Sequence, residues 1–371
     1  MPSTANDRPR ARDIGLQIGR LPTGPHNAIT DVDGLKVGHV SLLSGAGPLV
    51  VGEGPVRTGV TAILPHSGDL YADKVCAAVH VINAFGKSVG LPQVAELGQI
   101  ETPILLTGTL SVWNAADGLV DYLAQSAPDL RSVNPVVGEC NDGFLNDILG
   151  RHARPEHVFQ ALDGATSDNV EEGNVGAGVG MTGFGWKGGI GTASRRIDAD
   201  WGAGTLGALV LTNTGDAPDL CFDGIPIGRH LQPEPSPQPA AFPTGDGSIM
   251  ILLATDAPLS ARQLGRIARR SAFGLARAGG IAAHGSGDFC IAFSTGNRIS
   301  ISGHQSAPPS GFVPEAQLTS LFRAAVEATE EAIVNSILRS ETLTGRDGNS
   351  RQGIPIDRVT ELVESYRRDP T

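Results

Sequence analysis

Residues 232–254 read QPEPSPQPAAFPTGDGSIMILLA, and two kinds of chain meet within them. Residues 232–246 carry prolines at 233, 235, 237, 239 and 243. Such a segment is extended, short of backbone donors and poorly suited to packing, so it predicts a linker. Residues 249–254 form a continuous apolar run, short enough for a strand covered on both faces. Gly247-Ser248 lies between them, which puts a hydroxyl where a linker meets the start of a core strand.

That position suits a chain that cuts itself and then uses the new terminus. A serine hydroxyl can attack the carbonyl before it, exchange an amide for an ester and let water release the upstream piece. A glycine at the preceding position permits backbone conformations that a side chain would forbid. The freed α-amine, with an ordinary pKa of about 7.7–8.0, can serve as general base for its own hydroxyl. This is the layout of an N-terminal-nucleophile precursor. A plain loop ending before a strand has the same local pattern, because Gly-Ser is common turn chemistry.

The rest of the chain sets bounds. Its 371 residues, 40% hydrophobic and 18% charged, predict a folded protein with an ample core. A net charge of -11 argues against nucleic acid or an anionic membrane as partner. No apolar run reaches membrane-spanning length, and the first residues lack a signal-peptide core, so a cytoplasmic location is expected. Cys76, Cys140, Cys221 and Cys290 are scattered without metal-ligand spacing. They read as reduced thiols, and neither a metal nor an organic cofactor is implied.

Strands are expected at 60–64, 103–107, 208–212, 249–254 and 289–293. One helix is expected from a Ser260 cap to about Arg277, one from about Pro314 to Leu338 and one from Ile356 to Tyr366. Strands on both sides of the linker predict one intertwined domain. It would become two polypeptides, 1–247 and 248–371, with 232–246 as the linker.

Several familiar motifs fail. The two GxGxxG matches, at Gly178 and Gly183, neither follow an apolar strand nor open a periodic helix. Gly86-Lys87-Ser88 has Val81 where a phosphate loop needs its first glycine. His284 and Asp288 replace the flanking glycines of a GxSxG elbow around Ser286. Polar groups do stand at strand ends: Asn213 after 208–212, His284 to Asp288 before 289–293, and Glu139 after Val136-Val137-Gly138. Each is either an ordinary turn residue or a site residue.

Taken in order, these segments resemble the L-aminopeptidase/D-esterase family, which includes the β-peptidyl aminopeptidases. The likeness starts at residues 27–32 (NAITDV) and 37–40 (VGHV). It continues through 138–147 (GECNDGFLND), 173–176 (GNVG), 187–192 (KGGIGT) and 223–229 (DGIPIGR). It ends on 245–248 (GDGS) and 285–288 (GSGD), with the final helices after them. The resemblance implies a four-layer α/β/β/α sandwich, like that of N-terminal-nucleophile hydrolases but with its own strand connections. It also implies self-cleavage at Gly247-Ser248 and assembly as a tetramer of cleaved pairs.

By position, Ser248 would be the nucleophile, with Ser286 beside its amine and hydroxyl and Asp288 orienting that network. Asn213 would donate to the oxyanion, and Glu139 would hold the substrate's free amino group. The substrates implied are short peptides, amides or esters with a free amino terminus. Two positions depart from the family pattern. Phe144 replaces an expected tyrosine in the substrate site, and Asp288 replaces the glutamate of the β-peptidyl enzymes. Both count against strict β-peptide specificity. Two other readings share the fold: an acyl transferase of the ornithine acetyltransferase type, whose nucleophile is threonine, and a catalytically silent binding protein.

Overall fold

The computed structural model describes residues 7–127, 130–199, 202–234, 247–301 and 312–368. The linker therefore lies outside the described residues from 235 to 246. Two sheets dominate. The larger has six strands in the order Gln99–Ile100, Asp73–Ala84, Gly287–Ser300, Ser248–Thr255, Gly202–Asn213, Ile190–Ala199. All its neighbours are antiparallel except Ser248–Thr255 and Gly287–Ser300, which run parallel. The smaller sheet has four strands in the order Lys36–Ser44, Val56–Leu64, Ile104–Gly108, Val136–Cys140.

Side-chain alternation builds four layers from these sheets. Met250, Leu252, Ile291 and Leu209 face the smaller sheet and pack on its Ile63, Ile104, Leu106 and Val136. Ile249, Ile251, Leu253 and Val210 face the other way, onto the helices Ala261–Ala268, Ser271–Arg277, Leu318–Leu338 and Ile356–Arg368. Behind the smaller sheet, Val60, Ala62, Leu105 and Val137 meet the helices Val112–Ser126 and Pro155–Asp163. The order is helix, sheet, sheet, helix, as the family resemblance implied. All eight residues of Ser248–Thr255 are buried, which explains an apolar run with no alternation of its own. Each large side chain buried there contributes on the order of 1.5–3 kcal/mol.

Several element boundaries differ from expectation. The strand expected at 289–293 spans Gly287–Ser300, and the one expected at 208–212 spans Gly202–Asn213. Ser260 caps its helix as a capping box: its Oγ accepts from Gln263 N at 3.3 Å, and Gln263 Oε1 accepts from Ser260 N at 3.0 Å. The helix does not run through to Arg277, however. It breaks at Arg269-Arg270, where Arg270 N bonds the Ile267 carbonyl at 2.8 Å and Ser271 Oγ bonds the Ala268 carbonyl at 2.7 Å. The helix expected from Pro314 starts at Leu318, after a short turn at Glu315–Gln317.

That long helix is buried on nearly every side in its second half, including Glu327, Glu330, Glu331 and Asn335. The N-terminal segment covers the face that an amphipathic helix would leave to water. Ala11 N donates to Asn335 Oδ1 (2.9 Å), and Leu21 N donates to Glu327 Oε2 (3.0 Å). Arg195, fully buried on strand Ile190–Ala199, completes the contact. Its Nε meets Glu327 Oε2 at 3.1 Å, its Nη2 meets Glu331 Oε2 at 2.6 Å, and its Nη1 donates to the Ser194 carbonyl at 2.7 Å.

Candidate active site

Register in the six-stranded sheet assembles the site. Ser248 opens its strand with Asn213 opposite it on one side, antiparallel, and Gly287 opposite it on the other, parallel. Three residues distant in sequence thus stand in one row across the sheet. Ser248 has the parity of Met250 and Leu252, so its side chain lies on the inter-sheet face. A slip of one residue would turn it to the helices.

The hydroxyl is 5% exposed and touches the bond before it. Ser248 Oγ donates to the Gly247 carbonyl at 2.6 Å and accepts from Gly287 N at 3.3 Å; the same N–H reaches the Gly247 carbonyl at 3.1 Å. One donor therefore holds both the hydroxyl and the carbonyl next to it. The reason for glycine at 247 is not an unusual φ, since Gly247 is outside the left-handed region. A Cβ there would stand 2.4 Å from the Asn213 carbonyl oxygen, so close backbone approach excludes a side chain. Gly287 is restricted likewise: a Cβ would lie 2.8 Å from Gly86 Cα.

Ser286 and Asp288 form a buried pair, with Ser286 Oγ donating to Asp288 Oδ1 at 2.6 Å. Among the described residues Ser286 makes no hydrogen bond to Ser248; Gly287 N–H is the link between them. Burial pushes the Asp288 carboxyl up to about 6, against the opposing effect of the Ser286 bond and the Ile249 backbone. Its Oδ2 is buried without a hydrogen-bond partner among the described residues. Asn83 Nδ2 latches the preceding turn through the carbonyls of Ala283 and His284, each at 3.0 Å, and that of Ser286. A β-bulge between Asp288 and Phe289 re-aims the strand at this point.

Asn213 Oδ1 accepts from Thr182 N at 2.7 Å. A backbone N–H must face the amide oxygen, so the Asn213 Nδ2 is left as the open donor, unbonded among the described residues. Glu139, at the end of Val136–Cys140 and 2% exposed, accepts from Lys87 N at 2.7 Å and from Thr109 Oγ1. No cation pairs with it among the described residues. Phe144 is half-buried and not open on both faces: the Arg351 guanidinium lies 3.6 Å from its ring centroid.

Several residues here were not singled out as site residues from the sequence. Thr109 and Lys87 follow the strands Ile104–Gly108 and Asp73–Ala84, and an argument from strand ends would have flagged them. Thr182 and Arg351 belong to short two-residue strands that local pattern does not mark. Asp142, within the 138–147 motif, is buried, with the Thr58 and Asn146 side chains near its carboxyl but neither oxygen in a well-formed hydrogen bond among the described residues. Burial pushes its carboxyl up to about 6, and the charge of Glu139 adds a smaller push. No cluster of metal-ligating side chains occurs among the described residues. No helix there is long and apolar enough to cross a membrane. All four cysteines are free.

A serine at the head of a central strand, on a four-layer sandwich, is the arrangement of the N-terminal-nucleophile hydrolase fold. Comparison with known proteins narrows the class. The model of peptidase family S58 matches residues 27–351, and the chain belongs to that family and is an aminopeptidase. It is 43% identical over 372 residues to Beta-peptidyl aminopeptidase BapA of Sphingosinicella microcystinivorans, covering 97% of this chain and 93% of that one. The crystal structure of a Pyrococcus horikoshii protein superposes with a TM-score of 0.90 at 47% identity, covering 97% and 99% of the two chains. The L-aminopeptidase D-Ala-esterase/amidase of Ochrobactrum anthropi, described as a variant of the Ntn hydrolase fold, superposes with a TM-score of 0.89. It is 36% identical, again over 97% and 99%.

Proposed function

We propose that the chain cuts itself at Gly247-Ser248 and that the new terminal serine removes N-terminal residues from short peptides, amides and esters. The observation that carries this is the contact of Ser248 Oγ with the Gly247 carbonyl, under a Gly287 N–H that reaches both. Attack by Oγ on that carbonyl forms the C–O bond. Gly287 N–H faces the oxygen on which charge develops. The Oγ proton passes to the Ser248 nitrogen as the C–N bond breaks, leaving an ester and a free amine, and water then releases residues 1–247 as a carboxylate.

In the cut enzyme the Ser248 amine takes the proton from its own hydroxyl as Oγ attacks the substrate's first carbonyl. Asn213 Nδ2, held by Thr182, donates to the oxyanion. The Ser286–Asp288 pair, one residue on either side of Gly287, orients the amine and hydroxyl. Glu139, an uncompensated buried carboxylate, receives the substrate's ammonium group. The leaving amine departs with the proton, and water hydrolyses the acyl-enzyme. Phe144 lines the space for the substrate. The β-peptidyl specificity of the relatives places β-residues among the substrates to be tried, and the shorter Asp288 favours activity that is not confined to them. Assembly of cut pairs into an oligomer in the cytoplasm belongs to the same proposal; Phe273 and Ile281, 61% and 74% exposed, are available as contact residues.

Intact-mass spectrometry tests the central step. Cleavage splits 371 residues into 247 and 124, so 38.3 kDa should become roughly 25 and 13 kDa, with the smaller fragment beginning Ser-Ile-Met-Ile. Ser248→Ala should remain one chain and turn over no substrate. Full turnover by that variant would overturn the proposal.

A further inference from the structure

Arg351 stands beside this site with its charge unmatched. It lies on the short strand Ser350–Arg351, half-buried. Its guanidinium is 3.6 Å from the Phe144 ring centroid, its Nε donates to Thr182 Oγ1 at 3.2 Å, and its Nη1 reaches the Ser350 carbonyl at 3.3 Å. Every one of these partners is neutral, and no carboxylate pairs with it among the described residues. Its Nη2 makes no hydrogen bond there.

Arg10, Arg12, Arg195, Arg277 and Arg298 pair with acidic groups, whereas Arg351, like Arg57, has only neutral partners among the described residues. Burial pulls the Arg351 guanidinium down to about 10, so it stays charged at neutral pH while having lost part of its hydration. Its position ties it to the chemistry. Thr182, which takes the Arg351 bond through its hydroxyl, presents its N–H to Asn213 Oδ1, and Asn213 stands opposite Ser248. Phe144, on the other side of the guanidinium, belongs to the loop that follows Glu139. Arg351 therefore bridges the candidate oxyanion donor and the loop beyond the candidate amine pocket.

We propose that Arg351 is a specificity-determining residue that receives a substrate carboxylate near the reacting carbonyl. Short peptides bearing a free carboxylate would then be preferred over their neutral analogues. Nη2, unbonded among the described residues, can donate to a carboxylate oxygen, and a charge-assisted bond in a partly dehydrated site outweighs one in water. The carboxylate has two possible sources in a short peptide: the C-terminus of a dipeptide, or an acidic side chain on the first residue. The proposal rests on the assignments of Ser248 and Asn213 above.

The test uses the full, processed enzyme and three substrates: L-Ala-L-Ala, L-Ala-L-alaninamide and L-Asp-L-alaninamide. At least one of the two acids should exceed the neutral amide in kcat/KM by about tenfold, carried mainly by KM. Arg351→Gln can still bond Thr182 but has no charge, and should bring the ratio to within about twofold. Arg351→Lys should retain part of the preference. Preference for L-Ala-L-Ala assigns the C-terminal carboxylate; preference for L-Asp-L-alaninamide assigns the side chain. A wild-type enzyme that favours neither acid, or a preference that survives Arg351→Gln, overturns the proposal. Ser248→Ala separates the two levels: turnover of the amide by that variant would refute the active-site assignment itself, whereas its loss, without any carboxylate preference in the wild type, refutes Arg351 alone.

Discussion

Two regions of this molecule bury charge, and they treat it in opposite ways. Around Arg195 the charges are closed on one another: all three guanidinium nitrogens donate, to Glu327, Glu331 and the Ser194 and Ile18 carbonyls. Glu331 also takes Arg12 and Asn27. Around Ser248 the polar groups are left open, with Asp288 Oδ2, Asn213 Nδ2 and Arg351 Nη2 unbonded among the described residues. The acidities follow. Burial alone would raise Glu331, but Arg195 and Arg12 outweigh it and hold the carboxyl below its ordinary range. Asp288 has only a hydroxyl and backbone against the same burial and is pushed up to about 6. A closed network joins the N-terminal segment, a strand and a helix. An open one keeps places for groups the protein does not itself supply.

The largest expected contrast comes from breaking the closed region. Arg195→Met leaves Glu327 and Glu331 buried with less compensation and should cost about 3–5 kcal/mol in stability, read from urea unfolding. Turnover per folded molecule should hold. An unchanged unfolding midpoint would mean the network is not the fastener described here.

The open region should respond in the reverse sense. Asn213→Ala should lower the acylation rate about 10²–10³-fold, equivalent to about 2.7–4 kcal/mol of transition-state stabilisation, while stability falls only by the loss of the Thr182 bond, about 1–3 kcal/mol. Unchanged single-turnover kinetics would remove Asn213 from the oxyanion role.

The smallest effect separates the two carboxyls by pH. Asp288 binds its proton more tightly folded than unfolded, where the ordinary value is about 3.9, so its ionisation weakens the fold. The penalty is full above pH 6 and fades as pH falls towards 4. Glu331 has the opposite sign: its contribution is present above about 4.3 and is lost only on further acidification. Asp288→Asn should therefore gain roughly 1–3 kcal/mol on the wild type at pH 8 and little at pH 4.5, while losing turnover at both. An equal stability difference at the two pH values would contradict the assignment. In the wild type, the Ser248 amine must be free to take the hydroxyl proton, so turnover should fall as pH drops through about 8, and protonation of Asp288 near 6 should lower it further.

Much of the candidate site was legible where chemistry coincides with a strand end. Ser248 and Asp288 flank apolar runs, so burial and chemistry point to the same places in the sequence. The partners across the sheet were not legible, because register is a long-range property. Nothing near Asn213 states that it faces Ser248, and nothing near Gly287 states that its N–H reaches the Gly247 carbonyl. The smaller sheet was read only in part for a related reason. Strand Lys36–Ser44 is largely half-exposed or exposed, and without a strong hydrophobic pattern it resembles a loop. The long helix showed an apolar stripe, but its buried acids became intelligible only when Arg12, Asn27 and Arg195 arrived from elsewhere in the chain.

The order of strands in the larger sheet has one further consequence. Ser248–Thr255 is bordered by Gly202–Asn213, and Gly287–Ser300 is bordered by Asp73–Ala84, so two seams of backbone hydrogen bonds join residues before 247 to residues after it. In an uncut chain those seams close within a single molecule. Under the proposed cut at Gly247-Ser248, the same seams would have to be found between two separate molecules at their prevailing concentration. A kinetic consequence follows from that cut: assembly would be unimolecular, reassembly after unfolding second order, and working lifetime set by how slowly the cut enzyme opens.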